Sequence, residues 1–110
     1  MYKITIIVPR DLDGHEEPIK DFAHNEVFTY IANLFGGCTV TDCLGYWINP
    51  NNNRNKLFKE NNYKIEIAVK DEAQHPKHVV KALIQMIHDV YLQAEYYTEI
   101  DGVPEFIKIE

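Results

Sequence analysis

The side chains of this sequence that are best placed to do chemistry lie in one strand-like stretch. They are one acidic residue and two aromatic residues. The stretch runs from Gly36 to Pro50, and within it Asp42 interrupts the apolar face formed by Val40 and Leu44. A carboxylate that loses water beside apolar neighbours holds its proton more tightly and can serve as an acid or a base. Asp42 could instead pair with a donor, sit at a bulge or stay at a cleft edge.

Tyr46 and Trp47 follow along the same stretch and offer flat surfaces for a ligand or an interface. Gly45 beside Trp47 lacks a side chain, which lets another backbone or a ligand come close. Asn49 begins a polar loop after the strand and is a further ligand- or partner-binding candidate. In the alternative interpretation, Trp47 packs on the sheet and Asp42 caps the strand pairing.

Glu66 and Glu99 are two further candidates, because each carboxylate lies mid-strand beside β-branched neighbours. If Glu66 and Asp42 share a face of the sheet, two carboxylates could point into one pocket. Alternation along single strands does not establish this. Charges on exposed strands also discourage aggregation through sheet edges, which is their ordinary role.

Motifs for metals, phosphates and nucleophiles are incomplete. His75 and His78 have an i, i+3 spacing, but no Cys or carboxylate at fixed spacing completes a tetrahedral metal site. The sequence Asp11-x-Asp13-Gly14 lacks the later ligands of a calcium loop. No glycine-rich phosphate loop and no nucleophile elbow occurs. The sequence therefore predicts no metal and no cofactor, and it assigns no catalytic residue.

Periodicity predicts the elements that must position these residues. Apolar positions at helical spacing indicate a helix over 26–35, with Asp21 as an alternative start, and a second helix from Pro76 to about Gln93. Alternation and β-branched residues indicate strands over 2–8, 38–48 and 63–69. Two last strands, 95–100 and 103–109, flank Asp101-Gly102, which is a strong hairpin signal.

This order predicts a single α+β domain over residues 1–110. It matches the ferredoxin-like βαββαβ pattern with an extra C-terminal hairpin strand. Two helices would then cover one face of an antiparallel sheet, and Pro104 would place the last strand at an edge. A sheet face left open often completes its burial against another copy, so we expect a homodimer or a higher homo-oligomer.

Composition restricts the partners. The chain has 110 residues, 45% hydrophobic and 25% charged, with a formal net charge of -6. Its scattered lysines argue against nucleic acid and anionic membranes as partners, and a host protein or a small ligand stays open. No apolar run approaches the ~20 residues of a membrane span, and a strand pattern begins directly after Met1. With two cysteines predicted to be unpaired, we expect a cytoplasmic protein.

A short motif connects the chain to other proteins. After a helix ends, the family pattern reads approximately Gly-Gly-x-Thr-Val-x-Asp/Glu-Gly-x-Gly-x-Trp, and Cys43 stands where that pattern prefers Gly. The matching positions are Thr39, Val40, Asp42, Gly45 and Trp47. The chain thus resembles a family of small uncharacterised bacterial and phage-type proteins. The resemblance implies a shared fold and singles out Asp42 and Trp47, but it implies no activity.

Two functions compete at this point. The main interpretation is a non-catalytic binding protein, an accessory protein of a phage or mobile element that binds a host protein or small ligand through the open sheet face. It rests on small size, acidic charge and the lack of a complete catalytic set. The alternative is a small oligomeric enzyme that uses Asp42 or Glu66 as acid or base in a sheet-face pocket. The sequence leaves open whether the chain is an enzyme.

Overall fold

The computed structural model describes residues 1–11, 19–48 and 57–109. Their secondary structure follows the predicted order, with two helices and five strands. These are β1 (Tyr2–Pro9), α1 (Asp21–Phe35), β2 (Thr39–Ile48), β3 (Leu57–Val69), α2 (Pro76–Tyr91), β4 (Glu95–Ile100) and β5 (Val103–Lys108). Among the described residues, no helix has the length and apolar character that crossing a membrane requires.

The five strands form one antiparallel sheet in the order β2-β3-β1-β4-β5. The two helices pack on one face of this sheet, so the predicted α+β, ferredoxin-like architecture with an extra hairpin strand is confirmed. β5 lies at one edge, as Pro104 predicted. The hairpin before it turns at Asp101 and Gly102, both of which have positive φ angles (50° and 82°).

Alternation along β1 divides the sheet into a buried face and an open face. Ile4, Ile6 and Val8 are fully buried against the helices, and the residues between them point to the other side. α2 completes the core with one continuous apolar stripe. Its buried members are Val80, Leu83, Ile84, Ile87 and Tyr91. The helix begins as the sequence predicts, because Pro76 occupies its first turn and the His75 side chain accepts a hydrogen bond from Lys77 N (3.2 Å).

Two element boundaries differ from the main expectation by five residues or more. α1 begins at Asp21, the alternative start, and its buried residues include His24 as well as Val27 and Ile31. β3 begins at Leu57, six residues before the predicted Tyr63, because the pairing with β2 continues through polar residues that carry no alternation signal. The asparagine-rich loop after β2, and most of the acidic loop between β1 and α1, lie outside the described residues.

Candidate active site

Asp42 and Glu66 lie on opposite faces of the sheet. Asp42 pairs with Tyr63, whose side chain faces the helices, whereas Glu66 pairs with Thr5 of β1 on the open face. Directly paired residues of antiparallel strands point to the same side. The pocket imagined for these two carboxylates therefore does not exist, and the reason is the register between strands, which alternation within one strand does not contain.

The register instead brings Glu66 together with Glu99. Thr5 of β1 pairs with Glu66 of β3 on one side and with Glu99 of β4 on the other. Partner Cα atoms of antiparallel strands lie about 5 Å apart, so the two glutamate Cα atoms are separated by about 10 Å. Thr5 between them is only 2% exposed. The three side chains form one row across the centre of the open face.

A lysine next to this row forms an ion pair with Glu66. Lys3 lies two residues before Thr5 on the same face, and its Nζ donates to Glu66 Oε2 at 3.0 Å. This hydrogen bond lowers the pKa of Glu66 from its usual value, and the positive charges of Lys3 and Lys64 act in the same direction although partial desolvation opposes them. Glu66 is therefore held as a carboxylate and is a weak base.

An aromatic pair lies at the other end of the row. Tyr97 Oη donates to Glu99 Oε2 at 3.1 Å, and desolvation together with this carboxylate raises the pKa of Tyr97. The Tyr97 and Phe106 rings meet edge to face, with centroids 5.5 Å apart, and Phe106 is largely exposed. The pair gives the row a flat apolar neighbour suited to a planar ring.

The remaining candidates from the sequence are not part of this row. Trp47 is on the open face but stacks on Phe58, with ring centroids 4.8 Å apart. It lies eight residues along β2 from Thr39, the partner of Glu66, which is about 26 Å at the rise of a strand. Tyr46 points to the opposite face and is exposed. Asn49 lies outside the described residues.

The space beside Gly45 is filled from within the sheet. A side chain at Gly45 would place its Cβ 2.7 Å from Asn62 Nδ2, and Asn62 is buried on the neighbouring strand. The close approach that a glycine permits is thus used by an asparagine of β3 and is not left for a ligand.

Asp42 belongs to a cluster on the helix side. It forms an ion pair with Arg10 (3.1 Å), whose guanidinium lies over the Tyr63 ring at 5.2 Å from the centroid. Behind Tyr63, buried His24 contacts Tyr91 Oη through Nδ1 (3.0 Å) and the Arg10 carbonyl oxygen through Nε2 (3.2 Å). Both imidazole nitrogens have partners and Asp42 is mostly exposed, so this cluster joins β1, α1 and α2 as a structural unit.

A separate cavity of about 400 Å³ also lies on the helix side. Apolar side chains of α1, α2 and the end of β3 form most of its wall, including Leu34, Phe35, Val69, Val79, Leu83 and Met86. None of the carboxylates predicted from the sequence lines it. This cavity is the competing location for an apolar ligand.

Three residues at this site were missed from the sequence, namely Thr5 within the row and its neighbours Lys3 and Tyr97. The signal available for them was weak. Alternation in β1 and β4 shows that each points away from the core, but their proximity to Glu66 or Glu99 depends on the register between strands. Among the described residues, no group of three or more His, Cys, Asp or Glu side chains is arranged to hold a metal ion.

Comparison with solved structures gives a clear similarity in fold. The chain is similar to a phage SAM lyase in complex with S-methyl-5'-thioadenosine, with a TM-score of 0.64 and 18% sequence identity. It is similarly related to a phage SAM lyase in the apo state, with a TM-score of 0.66 and 16% identity. In both cases the similarity covers 99% of this chain and 90% of the other.

No protein-family model and no curated protein sequence matches the chain. The resemblance based on the Gly-Gly-x-Thr-Val motif therefore stays a prediction.

The solved structures overturn the main functional interpretation from the sequence. A non-catalytic binding protein was expected because the chain lacks a complete catalytic motif. The two structures named above are of a lyase, so a chain of this fold can carry catalysis without such a motif. The lack of a motif is consequently no argument against an enzyme. Of the two interpretations from the sequence, that of an enzyme is the better supported one.

Proposed function

We propose that this protein is an enzyme that cleaves S-adenosylmethionine and releases S-methyl-5'-thioadenosine. The observation that carries the proposal is the row Glu66–Thr5–Glu99 with Lys3 beside it, on the open face of the sheet. The similarity in fold to a SAM lyase over nearly the whole chain supports it.

The charges of the row complement those of the substrate. S-adenosylmethionine carries a sulfonium and an ammonium cation together with one carboxylate, and its net charge is positive. Glu66 and Glu99 supply a carboxylate for each cation, and the Lys3 ammonium supplies a partner for the substrate carboxylate. The net charge of -6 on the protein also favours the approach of a cation.

The aromatic pair gives a place for the adenine ring. Phe106 is exposed beside Tyr97, and Tyr97 is hydrogen-bonded to Glu99. An adenine stacked on this pair would extend from the Glu99 end of the row, and the amino acid part would reach toward Lys3 and Glu66. The Thr5 hydroxyl lies between the two carboxylates, where the reacting sulfur and carbon would sit.

The reaction breaks the bond between the sulfur and Cγ of the amino acid chain, and the electron pair stays on sulfur to give the neutral thioether. The four-carbon fragment leaves as a lactone if the substrate carboxylate attacks Cγ, or as an alkene if a base removes a Cβ proton. Because Lys3 lowers the pKa of Glu66, this carboxylate is poorly suited to take a proton. We assign Glu66 an electrostatic role, in which it holds and orients the charged substrate.

The cellular compartment of the enzyme is also part of the proposal. Cys38 and Cys43 are both free, which suits a reducing compartment. We infer a cytoplasmic enzyme of a phage or mobile element.

Product analysis tests the proposed reaction. Purified protein is incubated with S-adenosylmethionine, and mass spectrometry follows S-methyl-5'-thioadenosine and the four-carbon fragment. We expect both products in equal amounts, faster than in a protein-free control. Asp42→Asn provides a matched variant, because it neutralises a carboxylate on the other face and should keep turnover. The proposal fails if the wild-type protein yields no product above the control.

A further inference from the structure

The cavity of about 400 Å³ on the helix side has no part in the proposed reaction. Its wall is formed by Leu34 and Phe35 at the end of α1, by Val69 at the end of β3 and by one side of α2. Protein cores are close-packed and contain few spaces larger than a water molecule, whereas sites for small molecules occupy about 300–1000 Å³. The cavity is therefore large enough for a small ligand.

The two helices leave this space open and give it an adaptable wall. α1 ends at Phe35, where Gly36 takes a left-handed conformation (φ 87°), and Ala82 of α2 contributes only a methyl group to the wall. Beside the cavity, Tyr30 Oη of α1 donates to Met86 Sδ of α2 at 4.0 Å, and Met86 itself lines the space. A methionine side chain is flexible, so this wall can adjust to the shape of a ligand.

The polar groups of the wall are gathered at one end. Lys70, Asp71 and Gln74 all come from the segment between β3 and α2, and the other side chains of the wall are apolar. Lys70 forms no ion pair with another described residue. Asp71 Oδ1 accepts a hydrogen bond from Ala73 N (2.9 Å), which orients the carboxylate, and a carboxylate can accept several such bonds. One end of the cavity thus presents a positive and a negative group side by side.

A buried hydroxyl next to the cavity lacks a partner. Tyr2 pairs with Val69 on the helix side, and its Oη has no hydrogen-bond partner among the described residues. Burial raises the pKa of Tyr2, and the charges of Asp71 and Glu72 act in the same direction, so the hydroxyl keeps its proton near the polar end. Buried hydroxyls in proteins are normally hydrogen-bonded. An acceptor on a ligand, directly or through a water, would complete this one.

We propose that the cavity binds a free apolar amino acid, with its side chain between α1 and α2 and its charged head at Lys70 and Asp71. Lys70 and Tyr2 are donors for the carboxylate of the ligand, and Asp71 is an acceptor for its ammonium group. A ligand with a single charge would complement only one of the two neighbouring charges. This proposal does not depend on the proposed enzymatic function, because the row of Glu66 and Glu99 lies on the other face of the sheet.

Titration with amino acids tests the proposal. Isotope-labelled protein is titrated with L-phenylalanine, L-leucine and L-methionine, and NMR follows the backbone amides. We expect saturable shifts around Leu34, Val69 and Ala82, with the amides of Thr5 and Glu99 unaffected. Phenethylamine and 3-phenylpropanoate each lack one charge of phenylalanine. They should bind at least about tenfold more weakly, because each loses a hydrogen bond to a charged group. The proposal is wrong if none of the three amino acids gives saturable shifts at the cavity, or if either analogue binds as tightly as L-phenylalanine.

Two variants with matched controls locate the ligand. Ala82→Phe fills the cavity and should abolish the shifts, whereas Gln85→Phe adds the same ring at an exposed position of α2 outside the wall and should keep them. Lys70→Met removes the positive charge at the polar end and should weaken binding, and Lys81→Met, at an exposed lysine outside the wall, should not.

Circular dichroism shows whether each variant is folded, and if Ala82→Phe is not, the two lysine variants decide the matter. Equal affinity of Lys70→Met and Lys81→Met for L-phenylalanine would overturn the proposal. Product release from S-adenosylmethionine, measured in parallel, tests the enzymatic function separately.

Discussion

Glu66 and Glu99 lie on either side of Thr5, each on a strand next to β1, with all three side chains on the sheet face opposite the helices. The two carboxylates are 33 residues apart in the chain, and only the insertion of β1 between β3 and β4 brings them together. Each has its own neighbouring donor, Lys3 Nζ for Glu66 and Tyr97 Oη for Glu99. The row is therefore oriented before any ligand binds.

Replacing Glu66 by glutamine tests its electrostatic role. Glu66→Gln keeps the shape of the side chain but removes the charge that faces the substrate cation. We expect turnover to fall by about a hundredfold, the effect of removing one preorganised electrostatic group. The melting temperature should change little, because the Lys3–Glu66 pair is partly exposed to solvent. Equal turnover of Glu66→Gln and Asp42→Asn would show that the open face is not the active site.

Tyr97 should act through Glu99. Glu99→Gln removes a charge of the row, whereas Tyr97→Phe keeps the ring and removes only the hydroxyl that donates to Glu99. We expect a large loss of turnover in the first variant and a smaller one, roughly tenfold, in the second, since one hydrogen bond to a charged group is lost. Steady-state kinetics of the two variants and the double variant measure the coupling. Additive effects would contradict a positioning role for Tyr97.

The acid limb of the pH profile should depend on Lys3. The pKa of Glu66 is lowered in the folded chain, so Glu66 stays ionised, and turnover persists, to a lower pH than for an isolated glutamate. Lys3→Met removes the main cause, and the acid limb of kcat/KM should move to higher pH. The corresponding stability is present above the unfolded pKa and is lost as the pH falls through the folded value. An unchanged acid limb in Lys3→Met would exclude Glu66 as the titrating group.

The contact between His24 and Tyr91 should matter for stability and not for turnover. Tyr91→Phe leaves His24 Nδ1 buried without its partner, and we expect the free energy of unfolding to fall by about 1–3 kcal/mol. Tyr46→Phe is the control, because it removes a hydroxyl from an exposed ring. Urea titration measures both variants. If Tyr91→Phe is as stable as Tyr46→Phe, the cluster does not have the structural role assigned to it.

The fold was predictable from the sequence because its signals are local. Alternation marks β1, the α2 stripe has helical spacing, and Asp101-Gly102 marks the last hairpin. The proposed site was only half predictable. Glu66 and Glu99 were both recognised as mid-strand carboxylates, but the wrong partner, Asp42, was considered for Glu66. Which strands are neighbours, and in which register, depends on the packing of the whole sheet, and no single strand contains that information.

The proposed function was less predictable than the fold for a related reason. A motif is visible when its residues are close in sequence, as in a phosphate loop. Here Lys3, Glu66 and Glu99 come from three strands, and no spacing connects them. Trp47 attracted attention as the single tryptophan, yet it lies near the far end of β2, about 26 Å from Glu66 along the strand direction.

The central claim, that the open face holds the nucleoside thioether, is tested most directly by locating the bound product. Isotope-labelled protein is titrated with S-methyl-5'-thioadenosine, and backbone amide shifts are followed by NMR. We predict the largest shifts at Thr5, Glu66 and Glu99, with little change in Glu66→Gln under the same conditions. Shifts confined to the helix-side cavity around Leu34, Val79 and Met86 would contradict the account.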